Sequence, residues 1–183
     1  TIRTTSEDFS NASAWNKTGS LTTPSANSLV CANATSAQYI GQVAVSPPPT
    51  TIGQGFIYGV RVRSVSGGVP AIQLAPSSLG FGTGQFANIS LTDGSVSATG
   101  CTAVSNLVAA GTYDFAIAVT ATANHATGEA FSIVLADSKA ATRLAAFTGD
   151  GIKSVDILRA WSIEVTGYPS SYAPEYVSVG SSV

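Results

Sequence analysis

Methionine is absent, histidine occurs once, cysteine twice, and 8 Lys and Arg stand against 10 Asp and Glu in 183 residues. Each scarcity removes a class of function. With a formal net charge of −2 and no run of Lys or Arg, the chain has no field to hold a phosphate backbone or an anionic headgroup. Nucleic acid and membrane surfaces are therefore not expected partners. The longest apolar stretches, such as Phe115 to Val119 and Ile133 to Ala136, fall far below the ~20 residues a membrane helix needs. Thr1 opens no charged-then-apolar leader, so the sequence as given is expected to be soluble, with no membrane insertion. Cys31 and Cys101 make no disulfide scaffold. They read as two ordinary buried thiols or as one bridge, which requires Cα atoms within about 7 Å.

The single histidine also limits catalysis. A Ser-His-Asp site needs an imidazole to take the proton, and only His125 is available, in a turn-like Asn-His-Ala-Thr-Gly segment. No nucleophile elbow is present, a cysteine nucleophile would draw on the same histidine, and no His/Cys cluster has zinc spacing. Gly80-Phe-Gly-Thr-Gly84 lacks the following helix and lysine of a phosphate loop. Glycoside hydrolysis requires only two carboxylates about 5 to 10 Å apart, and Asp114, Glu129, Asp137, Asp150, Asp156 and Glu164 supply the stock. Asp137 and Asp150 sit where turns favour aspartate, and Asp156 and Glu164 fall on the outward face of their strand. One carboxylate at Asp150, beside the Gly149 to Gly151 carbonyls, reads as a turn before it reads as a calcium site. No catalytic residue, metal or cofactor is expected. Asn11, Asn16, Asn33 and Asn88 stand in sequons, which carry little weight in a chain so rich in Asn, Ser and Thr.

Strand periodicity, by contrast, is everywhere, while no window of a dozen residues keeps a helical apolar stripe. Phe56, Tyr58, Val60 and Val62 share one face and Arg61 and Arg63 the other, the alternation of a half-buried strand. Tyr113, Phe115, Ile117 and Val119 repeat it, with Asp114, Ala116, Ala118 and Thr120 opposite; Phe131, Ile133 and Leu135 follow. In the last run Val155, Ile157, Trp161, Ile163 and Val165 align inward, with Arg159 the misfit. Weaker strands are expected at Tyr39 to Val45, Val69 to Ala75, Phe86 to Thr92 and Ala141 to Phe147. Gly67-Gly68, Asp93-Gly94, Asn124 to Gly128 and Asp150-Gly151 punctuate them as turns. Pro47-Pro48-Pro49 is a stiff connection, since it offers a ladder no donors. Eight to ten strands without helices point to one all-β domain, an antiparallel sandwich or barrel. A chain this long buries roughly 70% of its extended surface, enough for a core without metal or disulfide. Residues 1–36 read as an arm with short edge strands and residues 37–183 as the sandwich.

Aromatic residues in loops and edges are the candidate ligand surface, because pyranose rings stack on aromatic faces while amides and carboxylates take the hydroxyls. Trp15, Tyr39, Phe81, Phe86 and Tyr168 qualify on this reading; Trp161 does not, its parity placing it inward.

Both ends carry a family pattern. The opening Asp8-Phe9-Ser-Asn11-Ala-Ser-Ala-Trp15, the turn Gly149-Asp150-Gly151, the strand Ile157 to Glu164 and the tail Tyr168-Pro169-Ser-Ser-Tyr172-Ala-Pro174 resemble virion surface proteins of tailed bacteriophages, of the jelly-roll, concanavalin-like class. Gly111-Thr-Tyr113 stands where that family usually has Gly-Trp-Tyr. The resemblance implies a two-sheet antiparallel jelly roll with terminal arms, located on the virion surface and without enzymatic activity. In the accessory or decoration role, Arg61, Arg63, Ala116, Ala118, Tyr172 and Tyr176 would meet other virion proteins or further copies of the chain. The runner-up is a receptor-binding fibre or spike domain docking host polysaccharide; a secreted carbohydrate-active enzyme comes third.

Overall fold

The computed structural model describes residues 2–42 and 49–165. Its strands are, in chain order, β1 (Ile2–Ser6), β2 (Trp15–Thr18), β3 (Ser28–Val30), β4 (Thr35–Ser36), β5 (Tyr39–Gln42), β6 (Gly55–Arg63), β7 (Ala71–Pro76), β8 (Phe86–Ser90), β9 (Val96–Thr99), β10 (Thr102–Ala109), β11 (Thr112–Thr120), β12 (Phe131–Ala136), β13 (Phe147–Thr148) and β14 (Ser154–Glu164). One helical turn, α1 (Ser78–Phe81), lies between β7 and β8. Sheet A runs β1-β14-β6-β11-β10, with β3 also on β14; sheet B runs β2-β5-β12-β7-β8-β9; β13 and β4 form a small clip. Every ladder is antiparallel. The expected two-sheet antiparallel sandwich forms; the finer jelly-roll name rests on the resemblance alone.

Alternation explains the core. Phe56, Tyr58, Val60 and Val62 on β6, Phe115 and Ile117 on β11, and Phe131, Ile133 and Leu135 on β12 are all buried in one cluster between the sheets. Six rings touch in series through it. Phe9 meets Trp15 at 5.0 Å between centroids, Trp15 meets Phe131 edge-on at 5.9 Å, and Phe131 stacks on Tyr58 at 4.8 Å. Phe56 and Phe81 complete the set against Tyr58. Burying so much ring area supplies a large part of the drive to fold, and each ring pair adds ~0.5–1.5 kcal/mol beyond area.

Three expectations need correction. Residues 2–36 are not a trailing arm: β1 and β2 are edge strands, as foreseen, yet Phe9, Trp15, Leu21, Leu29 and Cys31 are core members. The Asp8 carboxylate accepts from Ser10 N–H and the Asn11 side chain from Ser13 N–H, turns that bring the chain round to seat both aromatics. Second, Ala141 to Phe147 is a covering loop up to its last residue, where β13 begins. Third, the parity of β14 reverses midway. Ile157 pairs with Val62 and Arg159 with Arg61, so Leu158 is an extra residue in a β-bulge. Beyond it Ala160 and Ser162 turn inward and Trp161 and Ile163 outward. Arg159 was the visible symptom. Of the Pro47-Pro48-Pro49 connection and the carboxyl-terminal arm, residues 43–48 and 166–183 lie outside the described residues.

Sheet B is covered on its outer face as well. One lateral row runs Tyr39, Val134, Gln73, Asn88 across β5, β12, β7 and β8, and the loop 137–146 lies over it. Gln73 Nε2 donates to Asn88 Oδ1 at 2.9 Å and to Thr142 O at 3.1 Å, while Gln73 Oε1 accepts from Leu144 N. Asn88 Nδ2 donates to the Lys139 and Ala141 carbonyls at 3.1 and 2.9 Å. The sequon asparagine is thus spent on holding the loop. Asn88→Ala strips acceptor and donors from buried groups and is expected to cost about 2–3 kcal/mol, read as a lower denaturation midpoint, with amide exchange in residues 138–145 accelerating more than elsewhere. Unchanged exchange there would show that the loop is held by other means.

Candidate functional site

The five candidate aromatics do not form a platform. Trp15 is only 2% exposed and Phe81 only 1%; both are packed into the ring series, Trp15 because the preceding turns fold it inward and Phe81 because α1 ends over Phe56 and Tyr58. Neither can stack on a sugar. Tyr39 and Phe86 are partly exposed, and each precedes an inward residue, Ile40 or Ala87, so both face outward from sheet B. They lie three strands apart, roughly 14 Å at ~4.8 Å per strand, with the 137–146 loop between them. Tyr168 lies outside the described residues.

The outer face of sheet A is different. Ile57, Ala116 and Ala118 form a floor there, only 6–7% exposed, and Val104, Trp161, Ile163 and Val165 are half-buried against it. Trp161 pairs across the ladder with Gly59, and a Cβ on that glycine would overlap the indole. The ring therefore lies flat over bare backbone. This is an apolar cluster on the side of the sheet opposite the core, and the bulge at Leu158 is what brings Trp161 and Ile163 to it.

Beside this cluster Arg61 and Arg63 are each paired with an aspartate. The Arg61 guanidinium grips Asp114 with two bonds, Nε to Oδ1 at 2.8 Å and Nη2 to Oδ2 at 2.9 Å, the planar fork geometry that makes such pairs strong. Arg63 Nη2 reaches Asp156 Oδ2 at 2.7 Å. Both arginines named for partner contact are thus charge-neutralised within the sheet, and Ala116 and Ala118 lie in the apolar floor next to them. Tyr172 and Tyr176 lie outside the described residues.

Four of the six candidate carboxylates are engaged, and Asp137 is exposed at the start of the covering loop. Asp114 and Asp156 face arginines; Asp150 Oδ1 accepts from the backbone of Ile152 and Lys153, which holds its carboxyl below the usual range. Glu164, expected outward, pairs with inward Phe56 because of the bulge, and Gln54 donates to it at 2.7 Å. Glu129 is buried near Tyr58, whose phenol is pushed well above its ordinary value by burial first and by the Glu129 charge second. His125 takes part in a backbone bridge with Thr50 and accepts from Thr127 N–H. Among the described residues no group of three His, Cys, Asp or Glu side chains converges on one point.

Compared with models of known protein families the chain matches none, and no curated protein is significantly similar to it.

The two cysteines are both free. Cys31 Sγ lies 3.6 Å from Asp150 Oδ1 and Cys101 Sγ donates to the Phe86 carbonyl at 3.3 Å; the bridge that spacing left open does not form. Burial pushes the Cys101 thiol up to about 11, which leaves on the order of one part in a thousand as thiolate at pH 8. A chromogenic disulfide reagent at pH 8 is expected to react with Cys101 about a hundredfold more slowly than with an unhindered thiol, and two thiols should titrate promptly after denaturation. Prompt reaction in the native state would overturn this burial.

Proposed function

We propose that this chain is a non-enzymatic surface subunit of a tailed-phage virion, of the accessory or decoration kind, which lays the outer face of sheet A on neighbouring virion proteins, further copies of itself included. The observation that carries this reading is the second apolar cluster around Trp161. A two-sheet sandwich needs one apolar face per sheet, and this sheet has two. A flat aromatic ring over small residues, bordered by the Arg61–Asp114 and Arg63–Asp156 pairs, matches the anatomy of an interface centre: an aromatic anchor and close backbone approach. The motifs at the two ends of the chain supply the virion context.

The receptor-binding reading is weakened by the burial of Trp15 and Phe81, which removes two of its five rings. The enzymatic reading is weakened by the pairing of Asp114 and Asp156 with arginines and by the turn role of Asp150. A jelly-roll topology accords with the proposal but is not needed for it.

The test is add-back of purified chain to particles that lack it. Trp161→Glu and Ile163→Glu place a charge on the outer face without touching the inter-sheet core, so the far-UV spectrum should be retained. Loss of an aromatic anchor typically costs ~2 kcal/mol or more, so bound copies per particle at limiting concentration should fall at least tenfold. Normal occupancy by both folded variants would sink the docking face, as would finding that the wild-type chain binds no particle.

A further inference from the structure

On the opposite side of the molecule a groove of about 270 Å³ opens between β5, the start of α1 and the end of the covering loop. Its size sits near the lower end of small-ligand sites, roughly 300 Å³, and suits one sugar ring rather than an extended ligand. Of its twelve lining residues, Arg143 alone is charged. Arg143 Nη2 donates to the Pro76 carbonyl at 2.7 Å, Nε is sealed from solvent with no hydrogen-bond partner, and among the described residues the guanidinium faces no carboxylate. Such an arrangement is costly: a partly desolvated cation is ordinarily paired, as Arg61 and Arg63 are here. Burial holds the Arg143 guanidinium below its ordinary value, opposed by the nearby Tyr39 phenol.

The remaining lining is chemically specific. The Tyr39 ring, half-exposed, stands beside the guanidinium, the Ser78 and Ser132 hydroxyls lie along the walls, and Leu79, half-exposed, borders the mouth. We infer that this groove is a binding site for an acidic saccharide, with Arg143 taking the carboxylate of a uronic- or sialic-type sugar, Tyr39 packing against the ring and the serine hydroxyls bonding its hydroxyl groups. A neutral sugar would leave the guanidinium unpaired. An aliphatic carboxylate would leave the aromatic face and hydroxyls unused. The site lies on sheet B and does not rest on the docking face of sheet A.

Saturation-transfer NMR and calorimetric titration of the full chain with tri-galacturonic acid, its carboxyl-reduced neutral counterpart and a hexaglutamate peptide test this. The acidic trisaccharide should bind, weakening as salt is raised, and the neutral one should bind at least tenfold more weakly. Arg143→Gln should cost at least tenfold in affinity, and Tyr39→Ala a similar factor. Should loss of the Pro76 contact unfold the arginine variant, Ser78→Trp fills the groove from an exposed position and should abolish binding in a folded chain. Absence of saturation with wild type, equal affinity for the neutral sugar, equal affinity for hexaglutamate, or undiminished binding by Ser78→Trp would each overturn the site.

Discussion

The series of touching rings from Phe9 through Trp15, Phe131 and Tyr58 to Phe56 and Phe81 is the constraint on which the other placements depend. It draws side chains from both sheets, from the amino-terminal segment and from α1, so these four parts of the chain cannot be positioned independently. Interiors pack at crystal-like density; once Tyr58 stacks on Phe131, the space left at either end admits Trp15 and Phe81 and little else. That fixes where the first thirty residues run, although their composition is that of a loop. It also narrows the candidate ligand surfaces, because every ring committed to the spine is withdrawn from them.

The second constraint is a single residue. Strand alternation has period two, so one inserted residue exchanges the faces of everything after it. Leu158 does this within the longest strand, and the exchange is accommodated on each side. Inward, the small Ala160 and Ser162 fit beneath β6; outward, Trp161 lies against Gly59 of its ladder neighbour, where no Cβ stands in its way. Asn27 holds the edge next to the bulge, donating to the Ile157 and Glu7 carbonyls while its own carbonyl accepts from Ile157 N–H. Without the bulge, strict alternation would force an indole into a core already filled with rings and leave the Ile57, Ala116 and Ala118 floor without its aromatic cover.

This explains what the sequence discloses and what it hides. β6, β11 and β12 are legible because their alternation is long and uninterrupted, and each inward set named from the pattern is buried. The amino-terminal third is not, since strands of two to five residues carry too few periods, and Ser, Thr and Asn there serve turns rather than solvent loops. Ala141 to Phe147 looks like a strand because it is apolar, but only its last residue, Phe147, joins a ladder, pairing with β4. Trp161 is misassigned by any rule that assumes uniform period, although Arg159 in an inward position is a signal of the break. Arg143 is invisible in sequence for a different reason. Nothing marks an arginine as unpaired until the positions of all the acids are known.

The scarcity of charge has a structural counterpart in how loops are fastened. Gln38, Gln73, Gln85 and Asn88 are all buried; Gln38 bonds the backbone of the nearby turn at Ala32 and Ala34, and the other three bond backbone groups of segments distant in sequence. A carboxamide both donates and accepts, so one side chain can satisfy an N–H and a C=O together, without the desolvation penalty an ion would incur. A protein that fastens its loops with amides has little structural use for a half-buried cation. Arg61 and Arg63 obey this economy, each matched by an aspartate across the ladder. Arg143 has no such match among the described residues, and it lies where Gln73 and Asn88 already hold the loop; its one carbonyl contact needs a donor but not a charge. The positive charge in that groove is therefore surplus to folding, and a surplus charge at a concave, hydroxyl-lined site is what recognition of an anionic sugar requires.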